Sequence, residues 1–446
     1  MNAPSIASRL RMCRGVFFTS VKRALVDSIV NSTTTPTPLS HDEYELPREV
    51  RTVRVNRLKA RRVMSSEDVS LKRKYSVFAQ IQHEIRGWSG AALRRGHVAK
   101  GHGGQKRAFK VKLIGEGVND YSGPYREVFT DAFREVVELR NGSSALGILE
   151  PSPNNANQLG EGRDLFVFAS KLASTDKSKS DFTISSGTAP SEEEQNIIKI
   201  FNTVIGNSDD YSREIEDALV FLGRLTGTAC RHGILVDLPL PMSTVWRKLV
   251  EESTTSDCQE IDLLASRDEK SQRSVLSKQQ RMLNHFAEGI SSVLPAELFS
   301  IFSGVELQDV VCGNSDIDVE LLKRVVEYEG FEADDLVIEH FWQTLLEMTS
   351  DQRKMFLQFV WARNRLPIKA CDFEAPFKII RDTKNMGSEP DALPSASTCF
   401  FSLTLPEYKD KETLRSKLMF AIENVTTMES DYVTNDAEVS EGWRGI

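Results

Sequence analysis

Apolar residues recur at helical spacing along several stretches of the chain. Between Leu71 and Trp88 they fall at Tyr75, Val77, Phe78, Ile81 and Ile85, which puts one greasy face on a helix. The pattern turns helical again at Ile197, Ile198, Ile200 and Phe201, and from Ile215 to Leu225, where Gly223 and Gly227 would let a second helix approach closely. Val319, Leu321, Leu322, Val325 and Val326 predict a compact amphipathic helix. Phe400 to Leu405 reads instead as a strand. Breakers separate these elements. Asn31 to Ser40 reads as a disordered linker, and Leu172 to Glu193 as a polar surface insertion. Gly96 to Arg107 is a glycine-rich loop, but it lacks GxxxxGK[ST] and so predicts no phosphate cradle.

A chain of 446 residues holds roughly two to three domains with real cores. Apolar content of 40% and charged content of 27% belong to a globular protein, and no apolar run approaches the roughly 18 residues of a membrane helix. Six cysteines, at 13, 230, 258, 312, 371 and 399, form no CxxC pair and no metal spacing. That usage predicts a reducing compartment, cytoplasmic or nuclear. The net charge of −8 hides a division, because residues 1–112 carry 23 Lys and Arg against 8 Asp and Glu, while the rest reverses that balance. Arg51 to Lys74 is the basic centre. It reads as a solvated helix face, with nucleic acid or anionic lipid as the alternative partner. Arg9, Arg11, Arg14, Lys22 and Arg23 precede the first acid, Asp27, which fits either a transit peptide or a start inside a longer protein; the linker at 31–40 favours the second.

Chemistry concentrates in Leu393 to Tyr408, LPSASTCFFSLTLPEY, where Cys399 stands between Thr398 and an apolar run. A cysteine acts as a nucleophile only as thiolate, on a rigid and accessible support. Leu393, Pro394, Thr398, Cys399, Phe400, Leu403, Leu405, Pro406 and Tyr408 fall in register with the C-terminal lobe pattern of the HECT ubiquitin-protein ligases, and the segment resembles that family. Four further segments are similar to the family in the same order. Phe109 to Phe129, with Gly115, Glu116, Asp120, Gly123, Arg126 and Glu127, resembles the opening of the N-lobe; Phe221 to Leu249 its middle; Val310 to Gly330 its end; and His340 to Pro367 the start of the C-lobe. TCFF and the closing LRSKL helix resemble the giant HERC-type branch.

The resemblance implies a relay in which a conjugating enzyme charged with ubiquitin passes it to Cys399 as a thioester, and a lysine of a protein substrate then takes it. Thr398, Phe400, Leu393 and Pro394 would support the nucleophile. No metal or organic cofactor is implied. The position two before the cysteine, commonly His in the family, is Ser397, and Phe401 replaces a common Asn. Trp443 stands where relatives place an aromatic that reaches back to the N-lobe. The larger departure lies between Trp246 and Pro295, where the stretch after Glu260 to Leu264 joins Gly289 to Pro295 with several dozen residues fewer than the family pattern, including most of the expected conjugating-enzyme groove. A shortened scaffold or regulator is therefore the alternative function. A cysteine hydrolase pairing Cys399 with His232, His285 or His340 is a further alternative, although no protease motif surrounds them. Cys230, Cys312 and Cys371 read as core or surface residues.

The expected fold is α+β and bilobal, with a mostly helical N-lobe and a smaller mixed α/β C-lobe joined by a short hinge. The expected boundaries are a disordered N-terminus over 1–45, a basic helical extension over 46–99, an N-lobe over 100–328 shortened near 253–285, and a C-lobe over 329–446, with the hinge around Tyr328, Glu329 and Gly330.

Overall fold

The computed structural model describes residues 9, 11–36, 50–98, 105–116, 123–157, 164–169, 208–251, 269–314, 316–361, 363, 365–373, 375–383, 392–398 and 400–428. Two buried apolar clusters organise it, one running from Val30 to Cys312 and the other from Ile317 to Ile422. The fold is α+β.

The N-terminal core begins with α1 (Thr19–Ser32), followed by strand β1 (Thr52–Val55) and helices α2 (Arg57–Met64), α3 (Val69–Tyr75) and α4 (Val77–Ile85). Strand β2 (Lys110–Leu113) pairs with β1 in parallel, Val53 beside Val111 and Val55 beside Leu113. All four of these side chains are buried, which is the period-2 pattern that a sheet with one covered face requires. Helix α5 (Gly123–Val137) packs beneath, with Tyr125, Phe129 and Phe133 inside. A two-stranded ribbon, β3 (Leu149–Pro151) and β4 (Phe166–Phe168), leads on to the long helices α6 (Ser208–Arg231) and α7 (Glu269–Ser291).

Helices α6 and α7 cross at glycine. A Cβ added at Gly223 would lie 3.0 Å from the Cα of Gly289 and closer still to the carbonyl oxygen of Phe286, so the two backbones touch where neither residue has a side chain. The spacing that singled out Gly223 is thereby explained. Helix α8 (Gly304–Cys312) closes the first core and begins in a capping box, in which Ser303 accepts from the Glu306 backbone and Glu306 accepts from the Ser303 backbone.

The second core starts at α9 (Val319–Arg324) and strand β5 (Val326–Glu329), then α10 (Leu336–Glu347), α11 (Ser350–Trp361), β6 (Phe377–Arg381), β7 (Ser395–Ser397), β8 (Ser402–Leu405) and α12 (Lys411–Met428). Its sheet has the order β5-β6-β8-β7, parallel except for the last pair.

Three boundaries differ from the sequence reading. Residues 1–45 read as disordered, yet α1 is a formed helix, because Lys22 pairs with Glu306 at 2.6 Å and Arg231 donates to the Val30 carbonyl at 2.8 Å near the helix end. The stretch 46–99 read as an appended extension, but β1 and α4 supply part of the first core. The first two residues of the hinge read at 328–330 are edge strand, Tyr328 and Glu329 pairing with Ile379 and Ile380, and Gly330 follows them with a left-handed φ of +82°. The passage between cores lies at Gly313, whose φ of +64° is left-handed and whose added Cβ would meet the Leu366 carbonyl at 2.5 Å and Leu235 at 2.6 Å. The polar insertion 172–193, most of the shortened stretch before residue 269, and Trp443 lie outside the described residues.

Candidate functional site

Antiparallel β7 and β8 form a hairpin, with Ser397 opposite Ser402 and Ala396 opposite Leu403. The four residues 398–401 connect them. Phe400 N–H donates to the Ser397 carbonyl at 3.1 Å, which closes a turn. Cys399 itself lies outside the described residues, so the site is defined by its neighbours in the chain. Phe400 is half exposed at 51%, whereas Phe401 is buried.

Phe401 has φ of +50°, a left-handed backbone that costs a residue with a Cβ about 1–2 kcal/mol. Packing holds it there. Its ring stacks on Trp361 with centroids 4.1 Å apart and planes 12° apart, and tilts against Phe377 at 4.9 Å. The common Asn of the family pattern tolerates this conformation unaided. Phe401 relies on its aromatic neighbours, so the departure noted in the sequence has a structural counterpart in Trp361.

Each flank of the hairpin is fixed. Pro394 is buried and Leu393 half buried. The Tyr408 hydroxyl donates to the Ala392 carbonyl at 2.7 Å, and burial pushes that phenol's pKa upward. Thr398 is half buried, and its carbonyl accepts from Nη1 of Arg126 at 3.0 Å. Arg126 belongs to α5, so this bond joins the two cores at the residue before Cys399.

The base from which Arg126 projects is held by its sequence neighbours. Tyr125 Oη accepts from the Ala108 N–H at 3.2 Å and lies 3.0 Å from Nδ1 of His232. Glu127 and Glu116 both pair with the buried Arg57, whose Nε donates to Glu116 at 3.0 Å, with Asp131 at 4.0 Å. Burial alone would lower the pKa of Arg57, but the three carboxylates outweigh it and hold the guanidinium charged. A cation stays this deep only in such company. The motif residues Glu116 and Glu127 thus share one cation, Arg57, although 57 and 116 are far apart in sequence.

The three candidate histidines lie on separate elements, and two of them have other partners. His232 is buried, with Nε2 2.8 Å from the Arg95 carbonyl as well as Nδ1 against Tyr125, and burial pulls its pKa down to about 3. It is a satisfied core histidine. His285 lies on α7 beside Glu216 at 3.8 Å and Glu288 at 3.9 Å, and His340 lies on α10. Cys230 and Cys312 are thiols whose pKa burial pushes up to about 12, which makes them inert packing groups, while Cys371 is exposed. Among the described residues no cluster of three His, Cys, Asp or Glu suits a metal, and no helix is long and apolar enough to cross a membrane.

Two anchors escaped sequence reasoning. Trp361 sits within an unremarkable apolar run, and only its stacking on Phe401 reveals its part. The contact of Arg126 with Thr398 joins residues 272 positions apart, for which no local signal exists.

Comparison with known proteins agrees with this layout. Residues 269–431 match the family described as HECT-domain (ubiquitin-transferase). Over 431 residues, 94% of this chain and 8% of the relative, the sequence is 26% identical to the human E3 ubiquitin-protein ligase HERC2. Over 150 residues, a third of this chain, it is 33% identical to the probable E3 ubiquitin-protein ligase hulA of Aspergillus terreus and to the E3 ubiquitin-protein ligase RSP5 of Emericella nidulans, covering 19% and 18% of those proteins. The chain therefore spans less than a fifth of the length of each of these curated relatives.

Proposed function

Since residues 269–431 carry a HECT domain and the chain is homologous to HECT-type E3 ubiquitin ligases, we propose that it is itself a ubiquitin-protein transferase with Cys399 as its nucleophile. The observation that carries this reading is the hairpin: the matching motif from Leu393 to Tyr408 supplies two paired strands and the connection between them, with both flanks anchored. In the first step the Cys399 thiol gives up its proton and the sulfur attacks the carbonyl carbon of ubiquitin's C-terminal thioester on a conjugating enzyme. A C–S bond forms, and the conjugating enzyme's thiolate leaves and takes up a proton. In the second step a substrate lysine amine attacks the new thioester, an isopeptide bond forms, the amine loses a proton, and Cys399 departs as thiolate. One thioester replaces another, so the first step needs little driving force. Its partners would be a charged conjugating enzyme, ubiquitin and a protein substrate, met in the cytoplasm.

One observation favours a second reading. Helix α7 starts at Glu269, 18 residues after Glu251, and lies directly against α6. A stretch this short leaves little room for a separate docking subdomain, and a chain that cannot be loaded would act as a scaffold or regulator. A single-turnover loading assay with a panel of ubiquitin-charged conjugating enzymes separates the two. The transferase reading expects a thiol-sensitive ubiquitin adduct that Cys399→Ala abolishes; no adduct from any enzyme of a broad panel, with the fold intact, would establish the regulator.

A further inference from the structure

Arg126 is 2% exposed and donates to the carbonyl of Thr398, the oxygen of the peptide group that joins Thr398 to Cys399. Building on the transferase reading, we propose that Arg126 is a positioning residue: it docks the nucleophile hairpin on the N-terminal core and so fixes where the sulfur is presented to an incoming thioester.

Three observations converge on this role. The first is the address. The hairpin belongs to the C-terminal core and α5 to the N-terminal core, so the bond sets the relation of two bodies as well as the conformation of one loop. The second is the rigidity of the donor. Tyr125 is held by Ala108 and His232, Glu127 by Arg57, and Asp131 by Arg134 at 2.8 Å, so the stretch of α5 around Arg126 is fixed before the hairpin arrives. A preorganised donor loses little freedom on binding. The third is the acceptor. A backbone carbonyl cannot be removed by changing the Thr398 side chain, and a hydrogen bond from a charged donor is about twice as strong as one between neutral groups. Guanidinium also keeps its charge at every working pH.

Docking through the peptide before a nucleophile differs from tuning the nucleophile. It alters the fraction of molecules in which the sulfur points at the carrier, and leaves the affinity for the carrier alone. The signature is a lower maximal loading rate at an unchanged half-saturating concentration.

The test compares wild type with Arg126→Gln and Arg126→Lys by two measurements. Hydrogen exchange in the absence of any partner should show faster exchange over 395–405 in Arg126→Gln, with α10 and the α6/α7 pair exchanging as in wild type. Loading from ubiquitin-charged conjugating enzyme, followed across carrier concentration, should then show about a tenfold lower maximal rate in Arg126→Gln and partial recovery in Arg126→Lys, which retains a charged donor on a shorter reach. Hairpin exchange identical to wild type in Arg126→Gln would overturn the proposal, as would an unchanged maximal rate or a loss confined to carrier affinity. If both variants were generally unfolded, with exchange accelerated throughout α5, α6 and α7, Arg126 would be a structural residue and the proposal would fall. Should wild type accept no ubiquitin, the transferase reading fails by itself, while the exchange experiment still decides whether Arg126 docks the hairpin.

Discussion

Replacing Gly223 by alanine inverts an ordinary expectation. In an exposed helix interior Gly→Ala stabilises by about 1 kcal/mol, because alanine has less backbone freedom to lose. At Gly223 the new methyl would meet the Cα of Gly289 and the backbone N of Ile290, both at 3.0 Å, and the Phe286 carbonyl closer still. These are backbone atoms in the C-terminal turns of α7, so no rotamer change relieves the clash. The helices must separate, and overpacking of this kind costs about 1–3 kcal/mol, with further loss from contacts opened along Leu219, Leu222, Phe286 and Ile290. Net of the propensity gain we expect destabilisation of about 2 kcal/mol, seen as a melting temperature lower by roughly 4–8 °C for a unit of this size. Gly289→Ala should match it, since its methyl would press on the backbone of Val220 and Arg224. Gly227→Ala, whose nearest neighbours are at 3.3 Å, should lose much less. Thermal melts of the three variants, followed by circular dichroism, test the series. Equal or raised melting temperatures for Gly223→Ala and Gly289→Ala would refute the close crossing, and with it the direct seat of α7 on α6.

Phe401→Asn removes the ring stacked on Trp361 while easing the left-handed backbone; loss of the buried ring costs more than the roughly 1 kcal/mol regained, so urea melts should show a net loss of about 2 kcal/mol. Trp361→Ala combined with Phe401→Asn should then cost less than the sum of the single changes in a double-mutant cycle. Glu135, whose pKa burial pushes up to about 8 against the pull of the Val77 and Phe78 N–H donors, keeps a proton that the unfolded chain releases near pH 4.5. Its contribution to stability is complete below that pH and is lost as pH rises to 8. His97 and His232, pulled down to about 4 and about 3, act in the opposite sense below pH 6.5, so stability should fall most clearly between pH 6.5 and 8. Glu135→Gln should flatten that interval in melts taken at stepped pH. Arg57→Met should cost at least 3 kcal/mol by leaving Glu116, Glu127 and Asp131 crowded without their cation, and denaturant unfolding would measure it.

The general architecture was legible because it rests on local signals. The apolar spacing at 77, 78, 81 and 85 became α4, and 319, 321 and 322 became α9, each with the cap its sequence offers, Ser76 and Asp318. Glycine at 223 marked a close helix contact for the physical reason given. The site motif was legible as a string of residues. Its anchoring was not, because Arg126, Trp361 and Arg57 reach their partners across long loops, and periodicity carries no information about such pairs. The same limit explains the boundaries. Glycine and charge at 328–330 resemble a hinge in one dimension, whereas strand pairing with β6 depends on residues some 50 positions later. The helix α1 looked disordered because its stabilising acids, Glu306 and Asp372, lie in distant segments.

The passage at Gly313 has a consequence for how the molecule divides its time. Among the described residues, the contacts that join the cores include Arg126 to Thr398, Arg365 to Asp237, and Arg23 of α1 to Asp372. Those ties bias the two cores toward one mutual posture. Two of those ties are ion pairs at partly exposed side chains, so raising the salt concentration would loosen that posture.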